Sequence, residues 1–205
     1  MSVIAGREYE LSLLREAMGN TKSELIAIYG RRRVGKTFLI REYFKSQLVF
    51  ELTGLYKGNM ADQLQNFSQE AARRMKKPGT AIPETWMDAF ALLELHLDRL
   101  KSAKKKVIFI DEFPWIATAR SKFLMAFEHF WNHYCTRRTD LIVVICGSAA
   151  SYMIQKIIRN KGGLHNRVTR RIRLLPFNLY ETALFLKSSV IEIEKGDSKL
   201  APFTF

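Results

Sequence analysis

An apolar run, Leu25-Ile26-Ala27-Ile28-Tyr29, leads directly into Gly30-Arg31-Arg32-Arg33-Val34-Gly35-Lys36-Thr37, and that juxtaposition leaves few folds open. The octapeptide fits G-x-x-x-x-G-K-[ST], the phosphate-binding loop that joins a buried strand to the first turn of a helix. Its glycines let consecutive backbone N–H groups curl around phosphate oxygens, with the positive end of the following helix behind them. Nucleoside triphosphate binding is therefore expected, with Lys36 on the β and γ phosphates and the Thr37 hydroxyl on Mg²⁺. The expected contacts run through Gly30, Arg31, Arg32, Arg33, Val34, Gly35, Lys36, Thr37 and Phe38.

One such match arises easily by accident, so the rest of the chain must supply a sheet. Strand-like apolar runs occur at Leu25 to Tyr29, Leu48 to Leu52, Val107 to Ile110, Leu141 to Cys146 and Ile172 to Leu175. Several are continuous rather than alternating, as strands of a parallel sheet covered on both faces read. Between them, Leu11, Leu14 and Met18 mark one helix and Phe38 to Phe44 another. Trp86, Phe90, Leu93, Leu97 and Leu100 mark a third, entered through Pro83 and Glu84, and Phe123, Phe127, Phe130 and Tyr134 mark a helix from about Ser121 to Cys135. Strands alternating with helices predict a doubly wound α/β sandwich. The aromatic stripes at helical spacing read as core. Lys76 to Pro83 reads as a loop and the expected mobile excursion, and Ala201 to Phe205 as an unfinished end.

Val107-Ile108-Phe109-Ile110 delivers Asp111-Glu112 at its carboxyl end, where open α/β sheets bind ligands. This is the Walker B pattern: Asp111 is expected to hold Mg²⁺, usually through water, and Glu112 to polarise an attacking water. The bland alternative makes the pair a helix cap. The fourth strand ends Ile145-Cys146-Gly147-Ser148, which puts Ser148 where it senses a γ-phosphate or the attacking water, caps a helix starting near Ala149, or both. Arg167, in Gly162-Gly163-Leu164-His165-Asn166-Arg167-Val168, is a candidate to reach a γ-phosphate across a subunit interface, with Arg170, Arg171 and Arg173 as rivals. His129 and His133 stand four apart on a helix but lack H-E-x-x-H, so metal ligation is not assigned to them. Asn160-Lys161-Gly162-Gly163 lacks the Asp of the guanine-reading pattern, and ATP is preferred to GTP.

With 205 residues, 47% of them apolar, the chain suits one domain with at most a small appendage. A formal charge of +13 favours polyanions, DNA among them, if the clusters at Arg31 to Arg33, Arg73 to Lys77, Lys104 to Lys106 and Arg167 to Arg173 form a patch rather than scattered solvated faces. Cys135 and Cys146 are too few for a disulfide framework and lack C-x-x-C spacing. Met1 to Tyr9 lacks the apolar core of a signal peptide, and no apolar stretch approaches the roughly 20 residues that cross a bilayer, so a cytoplasmic, non-membrane protein is expected.

Gly6-Arg7-Glu8-Tyr9-Glu10-Leu11, the Arg-rich loop, Ile110-Asp111-Glu112-Phe113-Pro114-Trp115 and Cys146-Gly147-Ser148 together resemble the prokaryotic AAA-type ATPases first recognised mainly in archaea, near the origin-recognition and STAND ATPases. The likeness covers about residues 3 to 187. It implies a P-loop NTPase three-layer sandwich around a five-stranded parallel sheet in the order 5-1-4-3-2, with ATP as ligand and Gly6, Arg7 and Glu8 near the adenine. The implied roles of Lys36, Thr37, Asp111, Glu112 and Ser148 match those read from the residues, whereas Arg167 matches the family's Gly-Arg pair only in its Arg, Asn166 standing for the glycine. Residues 1–187 are expected to form the ATPase core and 188–205 a remnant, with a lid and any further domain absent and hydrolysis weakened accordingly. The expected function is ATP-driven conformational change in an attached or partner module, through self-association or a partner protein. The alternative is a nucleic-acid-associated nucleotide switch with little turnover.

Overall fold

The computed structural model describes residues 4–75, 81–101, 104–158, 164 and 166–196. Five strands form one sheet: β1 (Glu24–Tyr29), β2 (Leu48–Thr53), β3 (Lys106–Asp111), β4 (Leu141–Gly147) and β5 (Arg170–Arg173). Their spatial order is β2-β3-β4-β1-β5, the expected 5-1-4-3-2 read from the other edge, and every neighbouring pair is parallel. β3 and β4 are buried along their whole length, which explains their unbroken apolar sequences.

The pleat divides the core in two. Leu25 and Ala27 of β1, Ile108 and Ile110 of β3 and Leu141, Val143 and Ile145 of β4 face one side. There they meet α3 (Met60–Met75), α4 (Trp86–Arg99), α5 (Phe113–Ile116), α6 (Phe123–His129) and the turns after α7 (Ala150–Tyr152). Ile26, Ile28, Val107, Phe109, Ile142 and Val144 face the other, under α1 (Glu8–Gly19) and α2 (Lys36–Tyr43). A final helix, α8 (Leu179–Gly196), follows β5. This is the three-layer P-loop NTPase sandwich, and among the described residues no helix is long and apolar enough to cross a membrane.

Three local expectations change. The helix expected to start around Pro83 and Glu84 starts instead at a capping box, in which the Thr85 side chain accepts the Asp88 N–H and Asp88 accepts the Thr85 N–H. The single helix expected from Ser121 to Cys135 becomes α-helical over Phe123–His129, π-helical over Phe130–Tyr134 and 3₁₀ over Cys135–Arg137. The wider turn lets the consecutive Phe130 and Trp131 both reach the core. The last strand runs from Arg170 rather than Ile172, because β5 pairs with β1 from Ile26 onward; Leu175 lies beyond it and is exposed. Of the expected loop from Lys76 to Pro83, residues 76–80 lie outside the described residues, as do 201–205.

Candidate functional site

At the carboxyl edge of the sheet the chain leaves β1 through Gly30. A Cβ there would lie 2.2 Å from the Leu174 carbonyl oxygen, so only glycine lets the loop pass this close to β5, whose end is pinned by the Leu174 N–H donating to Tyr29 O at 2.8 Å. Gly35, with φ of 90°, turns the chain into α2 from the left-handed region. Lys36 is buried, and its Nζ donates to the carbonyls of Gly30 at 3.0 Å and Arg31 at 2.7 Å. The loop thus closes on its own lysine.

β3 brings two acids and β4 a serine to the same edge. The Thr37 hydroxyl donates to Asp111 Oδ2 at 2.6 Å, while Asp111 Oδ1 accepts the Glu112 N–H at 2.8 Å. Glu112 Oε2 accepts the Ser148 hydroxyl at 3.0 Å. Ser148 therefore orients a carboxylate; the cap position of α7 belongs to Ala149 and has no side-chain bond. Behind this pair, burial and then the neighbouring Asp111 push the Cys146 thiol well above its ordinary pKa, which keeps it neutral. Arg7, Arg33 and Glu112 hold positive φ of 64°, 64° and 45° without being glycine, and strained backbone of this kind concentrates at functional sites.

Two adjoining cavities flank the loop. One, about 410 Å³, is lined by Arg32, Arg33, Gly35, Lys36, Thr37, Phe38 and Glu112. The other, about 480 Å³, is lined mainly by apolar groups that include Ile4, Val34, Leu39, Pro176, Phe177 and Phe185. Arg33, Gly35 and Phe38 border both, so a charged compartment lies beside an apolar one.

Arg7 closes the apolar end. Its guanidinium is buried, donates to Val34 O at 3.1 Å and lies 4.2 Å from the Phe177 ring centroid. Its backbone N–H donates to Glu181 Oε1 at 3.1 Å, and a Cβ on Gly6 would meet Glu181 Cγ at 2.9 Å. Glu181 also accepts the Asn178 N–H at 3.0 Å at the start of α8. The sequence reading did not single out Pro176, Phe177, Phe185 or Glu181 as site residues, because they come from the far end of the chain and carry no motif. The run Leu174-Leu175-Pro176-Phe177 held the only signal.

Arg167 stands elsewhere. The Thr169 N–H donates to Leu25 O at the start of β1, so Arg167 is exposed at the opposite edge of the sheet and does not meet the loop of its own chain. Among its rivals, Arg173 pairs in register with Tyr29 at the loop edge, Arg171 is exposed, and Arg170 is held by Glu16 at 2.8 Å and Glu24 at 3.5 Å. His129 and His133 stack at 4.2 Å between centroids, and among the described residues no group of three or more His, Cys, Asp or Glu gathers for a metal.

Comparison with known proteins agrees with this fold. A family model of an ATPase domain predominantly from Archaea matches residues 4–203. An uncharacterised protein of Methanocaldococcus jannaschii is 28% identical over 188 residues, which is 91% of this chain and 39% of that protein. The Walker-type ATPase of Pyrococcus abyssi superposes with a TM-score of 0.64 at 19% identity, covering 93% of this chain and 59% of the other. The ORC2 protein of Aeropyrum pernix, solved in ADPNP and ADP complexes, superposes with a TM-score of 0.61 at 17% identity, covering 90% of this chain and 51% of the other. The chain thus spans between two fifths and three fifths of the length of these proteins.

Proposed function

The chain belongs to the family of ATPase domains found predominantly in Archaea, and we propose that it binds ATP with Mg²⁺, hydrolyses it, and uses the cycle to move an attached or partner module. One observation carries this reading: Lys36, Thr37 and Glu112 line one cavity, Asp111 is hydrogen-bonded to Thr37 and Ser148 to Glu112, and an apolar cavity lies alongside, bordered in part by the same residues. The charged compartment suits a triphosphate and the apolar compartment a base. The A. pernix relative of the same fold was solved with adenine nucleotides, which supports ATP as the ligand.

Thr37 and Asp111 fit a magnesium ion. They are hard oxygen donors 2.6 Å apart, and an ion that keeps most of its waters needs one or two protein oxygens beside the phosphates. When bound, it would neutralise charge on the phosphate oxygens. Lys36 trades its two carbonyl acceptors for phosphate oxygens. Glu112, held by the Ser148 hydroxyl, orients a water and takes its proton. Arg7 ties the Val34 carbonyl of the loop to Phe177 and to Glu181 of α8, which supports a mechanical route from the nucleotide to whatever follows that helix. Arg167, at the far edge, suits a role only toward a neighbouring copy.

Phosphate release from ATP, measured with oligomeric mass in the same samples, tests the reading. Turnover that depends on Mg²⁺ and falls to background in chelator is expected; turnover indifferent to Mg²⁺ would remove Thr37 and Asp111 from their roles.

A further inference from the structure

Beside the phosphate cavity, cations and rings alternate across the surface. The Arg32 guanidinium lies 5.5 Å from the centroid of the Trp115 ring, Trp115 lies 5.3 Å from Tyr56, and Lys57 Nζ lies 5.4 Å from the Tyr56 centroid. Tyr56 is 64% exposed, so the strip contributes little to the core. The residues come from three separate places, the loop, the exit of β2 and the start of α5.

The strip is held rigidly from beneath. Gln63, only 2% exposed, accepts the Leu55 N–H at 3.0 Å and donates to Leu55 O at 2.8 Å and Trp115 O at 3.3 Å. One buried amide therefore fixes both ring-bearing segments against each other. Gly54 tightens the same junction, since a Cβ there would meet Glu112 O at 2.7 Å and Ile116 Cγ1 at 2.8 Å. A groove of about 510 Å³ alongside is lined by Tyr56 and Lys57 together with Gln65, Asn66 and Gln69, amides that both donate and accept. Its one acid, Asp62, is engaged by the Asn59 N–H at 2.9 Å.

Flat rings beside cations and amide side chains match a ligand with flat bases, a phosphate backbone and polar base edges. We propose that the Arg32–Trp115–Tyr56–Lys57 strip binds single-stranded nucleic acid, with a base stacked on Tyr56 and backbone phosphates on Lys57 and Arg32. Duplex does not fit the same chemistry, because its bases are stacked on one another. The charge of +13 favours the encounter. The inference does not depend on ATP hydrolysis, although Arg32 also borders the phosphate cavity.

Trp86 and Trp131 are 2% and 3% exposed, so quenching of tryptophan emission by an added oligonucleotide reads Trp115. Titration with oligothymidylate and oligouridylate of roughly 20 nucleotides, without ATP, is expected to quench it. The ratio of the two affinities assigns the sugar. Tyr56→Ala is expected to weaken binding about tenfold, as loss of one base stack does, with melting temperature and ATP turnover unchanged. Lys57→Gln is expected to lower the slope of log affinity on log salt by about 0.7, one phosphate contact on a single strand. Trp115→Phe should abolish the signal and keep binding measurable by anisotropy. Undiminished affinity in Tyr56→Ala, or duplex of the same length binding as tightly, would overturn the proposal. Equal quenching by polyglutamate would overturn it in favour of a protein-docking surface.

Discussion

Lys36→Ala removes a buried cation whose three protons now serve two carbonyls, Gly30 O at 3.0 Å and Arg31 O at 2.7 Å. Lys36 itself lines the cavity of about 410 Å³, so water enters where its side chain is removed and the variant stays folded. With ATP the consequence is larger. Hydrogen bonds to charged groups contribute about 1.5–3 kcal/mol, and those joining two ions are roughly twice as strong as neutral ones. Exchanging two carbonyl acceptors for phosphate oxygens therefore leaves a net gain of about 2–3 kcal/mol, or roughly 30- to 150-fold in Kd. At ATP concentrations about 100 times the parent's Kd, binding stabilises the parent by about 2.7 kcal/mol. A chain of this size gains about 2–4 °C per kcal/mol, so the melting temperature rises by about 5–11 °C. A Kd raised about 100-fold leaves only RT ln 2, about 0.4 kcal/mol, and a rise of about 1 °C. Differential scanning fluorimetry with and without ATP measures both. An equal ATP-induced rise in parent and variant would refute the assignment of Lys36.

Gly30→Ala places a methyl 2.2 Å from Leu174 O and is expected to destabilise the fold by about 1–3 kcal/mol in chemical denaturation, whereas Gly19→Ala, with nothing within 4 Å, is not. A Gly30→Ala variant as stable as the parent would contradict the close approach of loop and β5. Asp140 predicts the acid limb of stability. Hydrogen bonds from Arg138 first, and from Lys106, hold its carboxyl below the ordinary 3.8. A carboxyl depressed in the fold stabilises above its unfolded pKa, so that contribution persists down to about pH 4 and is lost below it. Asp140→Asn should flatten that part of the decline; an unchanged acid limb would remove Asp140 from it.

The loop end of the candidate site was legible because the chemistry expected of it takes a short contiguous pattern. Glycines, Lys36 and Thr37 must follow a buried strand, and Asp111-Glu112 must end another, so each strand reads as an apolar run with its functional residue attached. The apolar end was legible only in part: the family resemblance pointed to Gly6, Arg7 and Glu8, whereas Ile4, Phe177 and Phe185, which join Arg7 in its walls, are brought there only by the completed sheet. Helix α3 escaped for a different reason: its buried face includes Gln63 and Ser68 beside Leu64, Phe67 and Ala71, so it offers few apolar residues to read. Gln63 is inside because it has backbone partners at Leu55 and Trp115, and sequence periodicity carries no trace of that. The left-handed backbone at Arg33 and Glu112 was equally hidden, since neither residue type announces it.

The most direct measurement compares ATP binding and phosphate release in parent and Glu112→Gln. The amide retains a hydrogen-bonding group beside Ser148, 3.0 Å away in the parent, but no longer takes a proton from water. Binding within a few-fold of the parent, with turnover lowered by about 10²- to 10⁴-fold, is the predicted result. Phosphate release by Glu112→Gln at the parent's rate would contradict the account.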